Sequence, residues 1–185
     1  FWRGDESVRI VAGEFKGRRL LSPPDKQVRL TSDKVKEALF SILGEKVQGA
    51  ICCDLFAGTG SLGLEAVSRG SEKCFFCDNA GESIKLIKEN VKACRAEDRS
   101  EIIHSDYRKA LSKMEVQADI FFLDPPYKKD LWEKSMEMIA ELGLLAPGGV
   151  IAAEHQRDKE LPDEIACFKK TKERRYGTVV LSLFV

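Results

Sequence analysis

Five short apolar runs, at 50–55, 73–77, 101–104, 118–123 and 149–153, alternate along the chain with stretches of helical spacing near 61–69, 81–95, 107–113 and 129–142. Most strands separated by a helix's length of chain cannot pair as tight hairpins, and each connection is long enough to cross over and lay the next strand parallel to the last. The pattern therefore predicts an open, doubly wound α/β sheet with helices on both faces. Strands covered on both sides read as nearly continuous apolar runs, as IFFL at 120–123 does. Two ends depart from the alternation. The runs 165–170 and 178–184 have only 172–177 between them, which predicts a C-terminal antiparallel hairpin at one side of the sheet. At the other end, 8–21 reads as two short strands around a turn at 14–17, ahead of the Pro23-Pro24 break. A small basic β-hairpin extension over 8–30 is thus expected before a main domain at 31–185, while 1–7 fits no element. The segment 32–43 carries Val35, Leu39, Ile42 and Leu43 at helical spacing, with Thr31 or Ser32 as N-cap and Asp33 in the first turn.

Composition narrows the partners only locally. Lys plus Arg, 30, equals Asp plus Glu, 30, so overall charge does not argue for nucleic acid. Between Arg9 and Lys36, however, Arg9, Lys16, Arg18, Arg19, Lys26, Arg29, Lys34 and Lys36 face only Glu14, Asp25 and Asp33, which reads as a phosphate-contacting arm. The basic run 169–175 reads as solvated surface. Cys74 and Cys77 have metal-like spacing but lie in an apolar run with no second such pair, and histidine occurs only at 104 and 155. The six cysteines read as core residues in a reducing compartment, and no metal is expected. With no apolar run of membrane length, a monomer in the cytoplasm is expected, with no membrane partner.

Four acids give this sheet its chemistry. Asp54, Asp78, Asp106 and Asp124 each fall at the carboxyl end of a successive strand, where open α/β sheets bind ligands. Asp54 precedes a literal G-x-G-x-x-G containing Gly58, Gly60 and Gly63. In a dinucleotide fold such glycines let a diphosphate reach a helix N-terminus. An acid closing the strand just before them repels a diphosphate and attracts an ammonium, which favours S-adenosyl-L-methionine, a phosphate-free donor with positive charge. Asp78, about twenty residues past the loop, suits ribose hydroxyls. Asp106 suits either an adenine amine or a helix cap. The stretch FFLDPPY at 121–127 runs a buried strand into a stiff loop, because Pro125 and Pro126 donate no N–H and push their preceding residues into extended conformations. That loop fixes a carboxylate, carbonyls and the Tyr127 ring for a planar substrate with a polar edge.

The order of DLFAGTGSLGLEA, the acid after the second strand, HSDY, LDPPY and LLAPGGV resembles that of class I methyltransferases with a Rossmann-like sheet. RIVAG at 9–13, KGR at 16–18 and RLTSDKVKEALF at 29–40 narrow the resemblance to RsmD-type methyltransferases, which act on the exocyclic N2 of a guanine in small-subunit ribosomal RNA. Leu30 and Lys36 stand where proline and arginine are expected in that family. The resemblance implies S-adenosyl-L-methionine on Asp54, Phe56, Gly58, Gly60, Asp78 and Asp106. It implies catalysis by Asp124, Pro125, Pro126 and Tyr127 without metal. Ribosomal RNA, free or in an assembling small subunit, would meet Arg9, Lys16, Arg18, Arg19, Arg29 and Thr31. Asp124 and the Pro125 carbonyl would accept the two amine hydrogens, and Tyr127 would stack on a base taken out of RNA structure.

Other readings meet specific obstacles. Methylation of a protein glutamine usually goes with asparagine where Asp124 stands, and a DNA adenine methyltransferase needs a target-recognition segment for which the chain has no room. An NAD oxidoreductase is disfavoured by Asp54. A non-catalytic RNA-binding protein has no need of Asp54, Gly58, Gly60 and Asp124 together.

Overall fold

A computed structural model of the chain describes residues 8–23, 31–126 and 130–185. Among them, β1 (Ile51–Asp54), β2 (Lys73–Asp78), β3 (Ser100–His104), β4 (Ala118–Leu123), β5 (Leu145–Gln156), β6 (Glu164–Ile165), β7 (Phe168–Tyr176) and β8 (Val179–Phe184) form one sheet in the order β3-β2-β1-β4-β5-β8-β7-β6. The first five strands are mutually parallel, and β8 runs antiparallel between β5 and β7. Strand order reverses between β1 and β4, which opens a crevice at their carboxyl ends.

Helices α1 (Asp33–Leu43), α2 (Ser61–Ser68) and α3 (Gly81–Ala93) share one apolar core with one face of the sheet, and α4 (Tyr107–Ser112) and α5 (Leu131–Glu141) share the other. Phe76 and Phe122 fill the first core and Phe121 and Phe184 the second, each burial worth about 1.5–3 kcal/mol. Helix α1 starts where Ser32 accepts the Val35 N–H at 3.3 Å, with Asp33 beside the positive helix end. Helix α2 lies flat on β2 because Gly63 has no side chain: a Cβ there would stand 2.3 Å from the Phe76 ring.

The N-terminal segment forms the expected hairpin, with its turn at 14–17. Its two sides meet in a single bridge, Arg9 with Arg19, flanked by Ile10 N–H to the Arg18 carbonyl at 2.9 Å and Leu20 N–H to the Val8 carbonyl at 2.7 Å. The Gly17 N–H also reaches across to the Ile10 carbonyl at 2.8 Å, while the backbone at 11–15 turns onto α2. Val11 and Ala12 donate to the Glu65 carboxylate at 2.9 and 3.0 Å, Glu14 to the Ser68 carbonyl at 2.8 Å, and Phe15 to the Ser68 hydroxyl at 2.9 Å. Val8, Ile10, Phe15 and Leu20 are buried in the α1–α3 core, so the segment is docked on the domain it precedes.

The C-terminal antiparallel hairpin forms as expected, β7 with β8, but its first strand is longer than the sequence pattern predicts. The expected connection at 172–177 lies almost wholly inside β7, and the turn is confined to Gly177, at φ +62°, and Thr178. Charged side chains on a half-exposed strand hid the pattern. Strand β5 extends beyond the expected 149–153, and its register slips between the Ala118 and Ile120 pairs. Cys52, Cys53, Cys74, Cys77 and Cys94 are buried, and burial pushes the Cys52 thiol up to about 12. Cys74 and Cys77 pack on opposite faces of β2, so they cannot share an ion. Among the described residues no helix is long and apolar enough to cross a membrane.

Candidate active site

A cavity of about 660 Å³ opens at the carboxyl ends of the parallel strands. Among the described residues five carboxylates line it, those of Asp54, Asp78, Asp106, Asp124 and Glu154, against one cationic side chain, Arg108. Such a lining favours a cationic cofactor over one carrying a diphosphate.

Asp54 ends β1 with its side chain turned onto the start of α2. It is 2% exposed and accepts the Gly63 N–H at 3.0 Å. The helix N-terminus, where a dinucleotide fold would place a diphosphate, thus already holds an anion. Burial pushes the Asp54 carboxyl up to about 7, against the lowering effect of the Gly63 bond, with Asp78 and Glu154 adding to the rise. Asp78 accepts the Gly58 N–H and the Ala80 N–H, each at 2.9 Å, and so fixes the glycine loop from the neighbouring strand. Gly58, at φ +57° with open space where a Cβ would stand, faces the cavity with its backbone, whereas Gly60, at φ +80°, turns the chain into α2 without lining it. Phe56 and Tyr107 form an aromatic pair with centroids 5.8 Å apart on the cavity wall. Asp106 caps α4 through the Arg108 and Lys109 N–H groups at 2.9 and 3.2 Å, and these bonds hold its carboxyl below the usual range. It lines the cavity as well, so the cap and the wall are one residue.

Asp124 and Pro125 line the opposite side of the crevice, with Asp124 half-buried and Pro126 exposed. Tyr127 and Arg29 lie outside the described residues. Thr31 reaches the cavity and donates its hydroxyl to Glu154 at 2.9 Å. The other N-terminal candidates do not line it. Arg9 pairs with Asp33 at 2.5 Å, Arg18 bonds the Ala93 carbonyl at the end of α3, and Lys16 and Arg19 are exposed on the outer side of the docked segment. Sequence reasoning missed Glu154, Trp132 and Tyr107. Glu154 could have been found, since it follows the fifth apolar run as the other acids follow theirs; Trp132 carried no comparable signal.

The description "Conserved hypothetical protein 95" belongs to a family whose model matches residues 8–185. YlbH of Bacillus subtilis (strain 168), which carries a provisional rRNA methyltransferase name, is 36% identical over 180 residues, covering 96% of this chain and 98% of that one. Ribosomal RNA small subunit methyltransferase D of Escherichia coli (strain K12) is 31% identical over 182 residues, covering 98% and 91%. The solved structure of Escherichia coli yhhF, also provisionally named a methyltransferase, matches with a TM-score of 0.86 at 29% identity, covering 96% and 97%. The Rossmann-like sheet with its reversed β8 is therefore that of a methyltransferase fold, and the chain belongs to the Conserved hypothetical protein 95 family, alongside the small subunit methyltransferase D proteins.

Proposed function

We propose that this protein transfers a methyl group from S-adenosyl-L-methionine to the exocyclic N2 of a guanine in small-subunit ribosomal RNA, acting in the cytoplasm as a monomer. The observation that carries the reading is the placement of Asp54 on the α2 N-terminus within a wall of five acids, which favours a cationic donor over a dinucleotide. The ribosomal RNA named for the relatives supplies the substrate class.

The residues present fit the donor. Asp54 and the Gly58 backbone would hold its amino acid end, Asp78 its ribose hydroxyls, and Phe56, Tyr107 and Asp106 its base. Bound there, S-adenosyl-L-methionine supplies an activated methyl group on a cationic sulfur. The chain's own work is on the amine. The N2 lone pair is delocalised into the guanine ring, so Asp124 and the Pro125 carbonyl accept its two hydrogens and favour a pyramidal nitrogen. Asp124 then takes the proton that nitrogen loses. Alignment of the amine with the methyl group supplies most of the rate. Tyr127 and Arg29 keep the assignments made from sequence, base stacking and RNA contact.

The test is mass mapping of ribosomal RNA from cells lacking this protein. One guanine losing one methyl group is expected, with restoration by the intact gene; an unchanged map would end the reading.

A further inference from the structure

Of the five acids in the cavity wall, the reading above gives work to Asp54, Asp78, Asp106 and Asp124. Glu154 has no part in it. In the sheet order β3-β2-β1-β4-β5, Glu154 sits on the strand farthest from the donor-side acids Asp78 and Asp106. Leu123 pairs with Ala153, so Asp124 and Glu154 are the next residues on neighbouring strands, whose backbones run about 4.8 Å apart. Ala152 belongs to the α1–α3 core and Ala153 to the other, so alternation sends the Glu154 side chain toward the α1 side. One donor holds the carboxylate and another holds the backbone beside it. The Thr31 hydroxyl bonds Oε2 at 2.9 Å, and the Trp132 indole N–H bonds the Glu154 carbonyl at 3.0 Å. Glu154 is 6% exposed, and a carboxylate held this deep attracts hydrogen-bond donors and repels lone pairs.

Guanine is the common base that carries an N1–H directly beside an exocyclic N2 amine. Adenine presents a bare N1 lone pair at the corresponding ring position. We propose that Glu154 accepts the N1–H of the target guanine while its neighbour Asp124 takes the N2 amine, with Thr31 holding the carboxylate in position. Glu154 is then a specificity-determining residue, and the pair of carboxylates on β4 and β5 reads one edge of one base. The inference rests on the guanine-N2 reading and adds to it the basis for rejecting purines without an N1–H.

The test compares an RNA carrying the mapped guanine with the same RNA carrying 2-aminopurine there, which keeps the 2-amino group but has a bare N1. The wild-type protein should prefer guanine in kcat/KM by a factor on the order of 100 or more, as sites built to pair a donor reject analogues lacking it. Glu154→Gln, whose amide can donate to a bare N1, should lose at least about tenfold of that preference. Donor affinity by calorimetry should change by much less than the base preference, and the melting temperature should stay near wild type. Thr31→Val should move the preference in the same direction by a smaller factor, and it carries the test if Glu154→Gln does not fold. An unchanged preference in a folded variant would overturn the inference while leaving guanine methylation intact. So would a loss of donor affinity as large as the loss of methylation, which would assign Glu154 to the donor. A wild-type protein that methylates no guanine in that RNA would overturn the functional reading itself, and this inference with it.

Discussion

The Lys36 ammonium and the Glu65 carboxylate stand 3.5 Å apart with neither side chain exposed. Lys36 also donates to the Ser61 hydroxyl at 3.0 Å and to the Arg9 carbonyl, while Glu65 takes Arg69 at 2.8 Å and the Val11 and Ala12 N–H groups. Burial lowers the Lys36 pKa and the Glu65 charge opposes that fall. The pair therefore joins α1, α2 and the N-terminal segment. The residue standing at the family's expected arginine position thus makes contacts within the protein.

Removing one partner of this pair strands the other. Glu65→Ala should cost about 3–5 kcal/mol in urea unfolding, because it leaves a buried ammonium uncompensated and two backbone donors without their acceptor. Amide exchange at Val11 and Ala12 should accelerate in the same variant. A loss below about 1 kcal/mol would show that the network relaxes without it.

Asp54 makes donor binding pH-dependent. The carboxyl, pushed up to about 7 chiefly by burial, must lose its proton to hold an ammonium. Donor affinity should rise about tenfold per pH unit below that value and level off above it, with proton release detectable by calorimetry in buffers of different ionisation enthalpy. Without donor the sign reverses. The folded carboxyl binds its proton more tightly than the unfolded one, so stability from this group is fully present below about pH 4 and falls as pH rises toward 7. Asp54→Asn should flatten both profiles; a wild-type affinity flat from pH 5 to 8 would contradict the assignment.

Asp106 serves two ends that can be separated. Asp106→Ala should remove the α4 cap and about 0.5–2 kcal/mol of stability, whereas Asp106→Asn keeps a capping oxygen and should stay near wild type. If the carboxylate also meets the donor's adenine amine, both variants weaken donor binding. Equal stability of the Ala variant would remove the cap from the account.

The cations of the docked segment should differ in the same way. Arg18 bonds a carbonyl at the end of α3, so Arg18→Glu should lower stability as well as RNA methylation. Lys16 and Arg19 are exposed, and reversing both should weaken RNA binding, flatten its salt dependence and leave donor affinity intact. RNA affinity unchanged by that double reversal would return the segment to a purely structural role.

The sheet was legible because its information is local: apolar runs ended by an acid at 54, 78 and 124, with helical spacing between, leave few topologies open. The third strand was also located, though its acid, Asp106, lies past the strand as the cap of α4. The N-terminal hairpin was legible, but its docking on α2 was not, for a physical reason. The N–H groups of Val11, Ala12, Glu14 and Phe15 go to Glu65 and Ser68, more than fifty residues away, and nothing in 8–21 indicates that these partners lie on another helix. Strand β7 was obscured because its alternating side chains are charged on both sides, so the period of two carried no hydropathy signal. Glu154 was passed over because the fifth apolar run was ended one residue before it.

The central claim is tested most directly by incubating the purified protein with methyl-labelled S-adenosyl-L-methionine and unmethylated small-subunit ribosomal RNA, then identifying the labelled nucleoside after digestion. Asp124→Asn serves as the control, since it keeps an acceptor oxygen but loses the charge. The account predicts label in N2-methylguanosine alone, with the single-turnover rate of Asp124→Asn lower by a factor on the order of 100 and its donor affinity nearly unchanged. Label in N6-methyladenosine, or an Asp124→Asn rate equal to wild type, would contradict it.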